Sequence, residues 1–191
     1  DSSGDITATH EMSALTFAQV EAAVPELTGD IMQIPPMVSA LKIDGKRLHE
    51  LAREGIEVER APRPVTIYRF RVAPTADPLV VTAEVECSSG TYVRTLAADL
   101  GHALGGGAHL RELRRTAIGS FTLDEAHPLE KVSPEQLLTP AAAMRDQPRV
   151  MAREAERIDV GHGKVLTIDE RFAGDGPWAV VNAEGTLLAM Y

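Results

Sequence analysis

The tightest constraint on how this chain folds is the stretch from Cys87 to Phe121, where a turn, an amphipathic helix, three glycines and an arginine-rich run follow one another directly. Ser88, Ser89, Gly90 and Thr91 supply turn and capping chemistry, so Thr91 is read as the N-cap and Tyr92, Val93 and Arg94 as the first helical turn. Val93, Leu96, Ala97, Leu100, Ala103 and Leu104 recur at helical spacing and form a stripe that must face a core. Gly105, Gly106 and Gly107 end the helix. Arg94 lies beside the stripe at the helix start, where the macrodipole disfavours a cation by roughly 0.3–1 kcal/mol. Neither Ala97 and Ala98 ahead of it nor Gly90 and Thr91 behind it carries a carboxylate. The guanidinium is therefore either solvated or met by an anion from elsewhere in the fold or from a ligand.

With 191 residues, 44% hydrophobic and 25% charged, the chain can bury one sizeable core, or one domain plus a small appendage. No apolar run approaches the length of a membrane span, and a single cysteine, Cys87, excludes an internal disulfide framework. The six histidines show no zinc-ligand spacing with it, so a cytoplasmic protein without metal is the expectation. The net charge of −9 is unevenly spread: −6 over residues 1–32, +2 over 33–120 and −5 over 121–191. Basic charge concentrates in the middle, where a polyanion would be received.

Residues 1–12 read as a polar tail, with a missing N-terminal part expected before them. Thr16 is expected to cap a helix running to about Leu27, with Phe17, Val20, Ala23 and Val24 on one side. Pro35 and Pro36 force extended backbone, with a short strand expected after them. An Asp44-Gly45 turn leads into a short helix carrying Leu48, Leu51 and Ala52 and ended by Gly55. The polar segment from Lys42 to Arg63 is thin in core residues, so it is either a mobile element or a plain surface excursion. Alternation predicts strands at Val65, Ile67, Phe70 and Val72 and from Val80 to Glu86. The turn after them lacks the Walker and dinucleotide fingerprints, which rejects a nucleoside triphosphate or NAD site. One helical turn at Ala108–Arg111 and a strand from Glu112 to Phe121 are expected, crowding Arg111, Arg114 and Arg115 beside His109. Such arginines are either a solvated face or phosphate ligands, because the planar guanidinium offers two parallel hydrogen bonds. Prolines mark a linker with a short helix at 133–138; beyond it come a helix at 154–158 and strands at 178–181 and 186–190 around an Asn182–Gly185 turn. A unit of about 40 residues buries little core alone and is expected to lean on the main domain.

Five segments then combine into a known pattern: Gln-Ile-Pro-Pro-Met-Val-Ser-Ala-Leu-Lys-Ile-Asp-Gly-Lys-Arg (33–47), Leu-Ala-Arg-Glu-Gly (51–55), Arg-Pro-Val-Thr-Ile (63–67), Cys-Ser-Ser-Gly-Thr-Tyr-Val-Arg-Thr-Leu (87–96), and Gly-Ala-His-Leu with Leu-Arg-Arg-Thr (107–116). Together they closely resemble the bacterial TruB family, tRNA pseudouridine synthases acting on uridine 55 of the T arm. The resemblance implies an α+β fold: a mostly antiparallel mixed sheet with flanking helices, an incomplete pseudouridine synthase fold, plus a small β-rich PUA-like unit. Residues 1–132 would be the C-terminal part of the catalytic domain, with 42–63 a flap that closes on RNA, 133–149 a linker and 150–191 the PUA-like domain.

The implied enzyme flips a uridine out of the T loop, breaks its glycosidic bond and rejoins the base through carbon, using no cofactor and no metal. The family's catalytic aspartate sits in a Gly-x-Leu-Asp-x-x-Ala-x-Gly motif that does not occur in this sequence. Asp124, in Leu-Asp-Glu-Ala, lacks the flanking glycines and is not nominated. The resemblance makes Arg94 the partner of the absent aspartate and Tyr92 the aromatic residue beside it. Leu113 becomes a wall of the uracil pocket, although by pattern alone both Tyr92 and Leu113 would be core. Lys42, Arg47, His109, Arg114 and Arg115 fall in RNA-contacting segments. His49 departs from the tyrosine usual in the family. The expected partners are the T arm of tRNA and the missing N-terminal segment, with no membrane and a monomer when complete; the chain alone would be inactive. The rival reading is a non-catalytic T-arm RNA-binding or tRNA-folding module, since shape and phosphate recognition do not need the aspartate. A weaker third is an acidic interaction domain.

Overall fold

The computed structural model describes residues 6, 8–43 and 45–191 and divides into two compact units, 1–113 and 114–191. The first unit is built on a three-stranded antiparallel sheet. Its strands are β1 (Gly29–Gln33), β4 (Arg63–Pro74) and β5 (Val81–Cys87), in the order β1-β4-β5. Before the sheet comes helix α1 (Phe17–Ala23), whose N-cap Thr16 closes a capping box with Gln19. The helix stops four residues earlier than its apolar pattern predicts. Pro25 enters a 3-10 turn at Val24–Leu27, and the chain then turns directly into β1. The strand therefore precedes the two prolines instead of following them, and residues 34–41 hold no regular structure.

Strand β4 explains an irregularity in the predicted alternation. Its buried residues Val65, Ile67 and Phe70 break the period of two because the register shifts between Ile67 and Arg69, inserting Tyr68 as an extra, outward-facing residue. Helix α3 (Val93–Ala103) lays Leu96 and Leu100 on this face. With Val20, Val24, Ile67 and Phe70 they form the core of the unit. Ala103, expected on the stripe, is exposed at the frayed end. The chain returns from α3 across Gly101, where a Cβ would collide with the backbone of Gly107 and Ala108.

The segment 42–63 forms a two-residue hairpin of β2 (Lys42–Ile43) and β3 (Lys46–Arg47), then helix α2 (Leu48–Arg53). Gly45 takes φ +82° in the hairpin turn, and Gly55 at +71° ends the helix; Asp44 lies outside the described residues, as does residue 1–5 of the polar tail. The excursion is not thin in core throughout, because Leu48 is fully buried and Leu51 nearly so.

The expected strand from Glu112 to Phe121 is not continuous. Residues 107–116 are irregular, and a hairpin of β6 (Ala117–Ile118) and β7 (Phe121–Thr122) follows. No residue from 111 to 116 is buried, so nothing holds that part as a strand. Three 3-10 turns and a short helix α4 (Pro140–Ala143) lead to a second sheet. There β9 (Ala179–Val181) pairs in parallel with β8 (Arg149–Met151), which the pattern missed, and antiparallel with β10 (Leu187–Met190). The predicted Asn182–Gly185 turn is present, with Thr186 N donating to Asn182 Oδ1 at 2.7 Å. Helix α5 (Glu154–Gly161) covers the sheet over Val150, Val160, Phe172 and Val180. This small unit thus holds a core of its own.

An ion network is attached to that core. Arg171 donates to Glu156 at 2.7 and 2.9 Å, to Asp169 at 2.8 and 2.9 Å, and to the Met151 carbonyl at 2.7 Å. Its guanidinium holds both carboxyls down at about 2, from ordinary values of 4.5 and 3.8. Such depressed groups stabilise the fold fully above their unfolded values and lose that contribution as pH falls through the folded ones. The stability of the second unit should accordingly drop between about pH 4.5 and 2, and Arg171→Leu should flatten that drop in an acid titration followed by Trp178 fluorescence. For the first unit, Leu96→Ala should cost about 2–5 kcal/mol in urea unfolding. Leu113→Ala, at a side chain 61% exposed, should change stability by no more than about 0.5 kcal/mol.

Candidate active site and nucleic-acid interface

The start of α3 is fixed from two strands, β1 and β4. Gln33, at the end of β1 and 2% exposed, turns its amide onto the Tyr92 backbone. Its Oε1 accepts from Tyr92 N at 2.7 Å, and its Nε2 donates to the Tyr92 carbonyl at 3.2 Å. Ser88 ties the preceding turn to β4: its N donates to the Thr66 carbonyl at 2.8 Å, and Thr66 N donates to its Oγ at 3.0 Å. The Ser88 hydroxyl is therefore engaged by the sheet. The helix begins one residue later than expected, with Tyr92 at the N-cap and no side-chain cap.

Arg94 projects from the first turn and donates from Nη2 to the Val38 carbonyl at 2.8 Å. No carboxylate pairs with it among the described residues. The carbonyl is a neutral acceptor, so the full positive charge remains. Further along α3, burial pushes the Asp99 carboxyl above the usual carboxylate range, with His102 opposing the shift.

The segment that meets Arg94 leads into the cationic hairpin. Ser39 N donates to the Met37 carbonyl at 3.0 Å, and the Ser39 carbonyl accepts from His49 N at 3.1 Å and from His49 Nδ1 at 3.0 Å. Leu48 N closes onto the Leu41 carbonyl at 2.8 Å. Lys42 and Arg47 are directly paired across β2 and β3, both exposed. Two cations facing each other are unfavourable unless water or an anion lies between them. The structure thus gathers Tyr92, Arg94, Lys42 and Arg47 around the 33–49 segment. His109 and Leu113 lie on the irregular run after the glycines, both exposed, and Leu113 is not a core residue as its pattern suggests. Arg114 and Arg115, also exposed, open the second unit.

The basic side chains separate into two populations. From residue 150 onward, Arg153, Arg157, Lys164 and Arg171 each pair with a carboxylate within 3.5 Å. Arg145 clasps Glu125 and lies 3.9 Å above the Phe121 ring. Among the described residues, Lys42, Arg47, Arg94, Arg114 and Arg115 have no carboxylate within ion-pair distance. Sequence reasoning nominated these cations and missed Gln33, whose signal was its place as the first residue of the 33–47 motif.

Residues 1–93 match the family described as TruB family pseudouridylate synthase (N terminal domain), and residues 94–151 match the tRNA pseudouridylate synthase B C-terminal domain. Proteins named tRNA pseudouridine synthase B from Rhodococcus jostii and Streptomyces coelicolor are 45% and 42% identical over the whole chain. The chain spans 64% and 66% of their lengths. A crystal structure of a Cbf5-Nop10-Gar1 complex matches 92% of this chain and 55% of its own, with a TM-score of 0.70 and 24% identity, a likeness of fold.

Replacing Gln33 with leucine would leave the Tyr92 N–H without its partner, while the Tyr92 carbonyl would keep the Leu96 N–H at 3.0 Å. The expected loss is about 1–3 kcal/mol in urea unfolding, together with faster amide exchange at Tyr92.

Proposed function

The chain belongs to the TruB family of pseudouridylate synthases, and from that premise we propose that it supplies part of the active site and RNA-binding surface of a cytoplasmic tRNA pseudouridine synthase. The substrate is uridine 55 in the T arm of tRNA. The base is flipped out, its glycosidic bond is broken, and it is rejoined to the ribose through carbon, with no cofactor or metal taking part.

The observation that carries this reading is the population of cations without carboxylate partners, which coincides with the motif residues. Lys42, Arg47, Arg114 and Arg115 are exposed, and with His109 they offer donors to the phosphate backbone. Among the described residues Arg94 is held only by a carbonyl, which leaves its charge available to an aspartate. That aspartate belongs to the family motif absent from this sequence, and an N-terminal segment carrying it is the partner we assign. Tyr92 stands beside Arg94. Leu113, a large apolar side chain that the first unit leaves exposed, lines the uracil pocket. Flipping a base costs a few kcal/mol, which stacking and apolar burial against such a wall offset. Residues 1–132 form the catalytic part, 42–63 the flap, 133–149 a linker and 150–191 a PUA-like domain.

The test is incubation with T-arm RNA, with and without an added N-terminal segment carrying the aspartate, followed by assay for pseudouridine. Product should form only in the mixture. Product from the chain alone would show that the aspartate is dispensable; salt-dependent binding without product in either tube would favour the non-catalytic RNA-binding reading. Arg114→Ala and Arg115→Ala should each flatten the log-log salt dependence of binding by about 0.7–0.9.

A further inference from the structure

Two successive carbonyls in the loop after β1 are taken by side chains from different helices. Val38 O accepts from Arg94 of α3 at 2.8 Å. Ser39 O accepts twice from His49 of α2, through N at 3.1 Å and Nδ1 at 3.0 Å. A peptide unit held at one carbonyl by a backbone donor alone keeps some freedom to rotate; a second donor on the same oxygen removes it. Ser39 is 7% exposed, and its Oγ has no hydrogen-bond partner, so the serine hydroxyl does not fix this joint and the imidazole does. The hairpin bearing Lys42 and Arg47 lies between Ser39 and His49 in sequence.

We propose that His49 is the positioning residue for Arg94: its Nδ1–H locks the Val38–Ser39 joint, and through it couples the cationic hairpin of residues 42–47 to the guanidinium. The functional weight of this rests on the pseudouridine synthase reading, in which Arg94 meets an aspartate and the hairpin meets RNA. The coupling runs both ways. Displacing the hairpin pulls on Ser39 and withdraws the Val38 carbonyl from Arg94, freeing the guanidinium for an anion. The lock needs only a proton on Nδ1, which the imidazolium and one neutral tautomer both carry. His49 touches no substrate in this role. It acts through two backbone carbonyls.

The measurement is nitrogen-15 NMR of the arginine side chains in the full chain, with Arg94 assigned by its loss in Arg94→Lys. The Arg94 Nη protons should exchange slowly in the unaltered chain. In His49→Ala they should exchange about tenfold faster, the loss expected for one charge-assisted hydrogen bond, while amide signals from the β4 and β5 core stay in place. His49→Asn, whose Nδ2 can reach the same carbonyl, should restore most of the protection. Unchanged Arg94 exchange in a folded His49→Ala chain would overturn the proposal. So would loss of protection in His49→Asn equal to that in His49→Ala, since the effect would then come from ring volume. Neither readout needs RNA or turnover, so a failed pseudouridine assay and a failed lock are separate results.

Discussion

The paired hydrogen bonds between the Gln33 amide and the Tyr92 backbone are the joint on which the candidate site depends. They connect the last residue of an edge strand to the first turn of a helix 59 residues later. A primary amide is suited to the task because it donates and accepts in one plane, answering a backbone N–H and a backbone carbonyl together. Gln33 is buried at 2% exposure, so its amide left alone would be an unsatisfied buried group, and the Tyr92 N–H has this amide as its acceptor. This geometry fixes the direction in which Arg94 leaves the helix. It also fixes the point from which residues 34–41 set out toward the cationic hairpin.

Electrostatics divides the chain in a way its net charge conceals. In the second unit Arg145, Arg153, Arg157, Lys164 and Arg171 are each neutralised by a carboxylate, most completely around Arg171, where two carboxylates and a carbonyl saturate one guanidinium. Such a network orders a small unit but offers nothing to an outside anion. Lys42, Arg47, Arg94, Arg114 and Arg115 make the opposite arrangement. They sit on a hairpin of two-residue strands, a helix start and an irregular run, where each is kept apart from acid and near water. A polyanion gains by displacing counterions from charges of this kind.

Much of this was legible in the residues. The stripe of α3 is a local signal, and Leu96 and Leu100 are buried as the spacing requires. Leu48 and Leu51 place α2, and Thr16 with Gln19 marks the start of α1, because capping and periodicity act over a single turn. The α+β class came from the resemblance carried by the five motif segments, not from these local signals. Strand β1 was not legible: Gly29-Asp30-Ile31-Met32-Gln33 has weak strand chemistry, and it extends because β4 supplies its hydrogen bonds. The run from Glu112 to Phe121 misled in the other direction, since side-chain character suggested one strand where residues 112–116 are irregular and only Ala117–Ile118 pairs, with Phe121–Thr122. Arg94 was recognised as a cation needing an explanation, but its carbonyl acceptor came from a loop 56 residues away, beyond any spacing rule.

The missing side chain at Gly101 gives α3 a further property. The helix is anchored at both ends, by Gln33 at Tyr92 and by the backbone of Gly107 and Ala108 pressed against Gly101. Its 11 residues span about 16 Å, and adding one would lengthen it by about 1.5 Å and swing one anchorage about 100° around the axis. The helix is thus a gauge of fixed length between Arg94 and the loop that carries His109. Its outward residues are free to drift in identity over time, whereas the number of residues between its two fastenings is not.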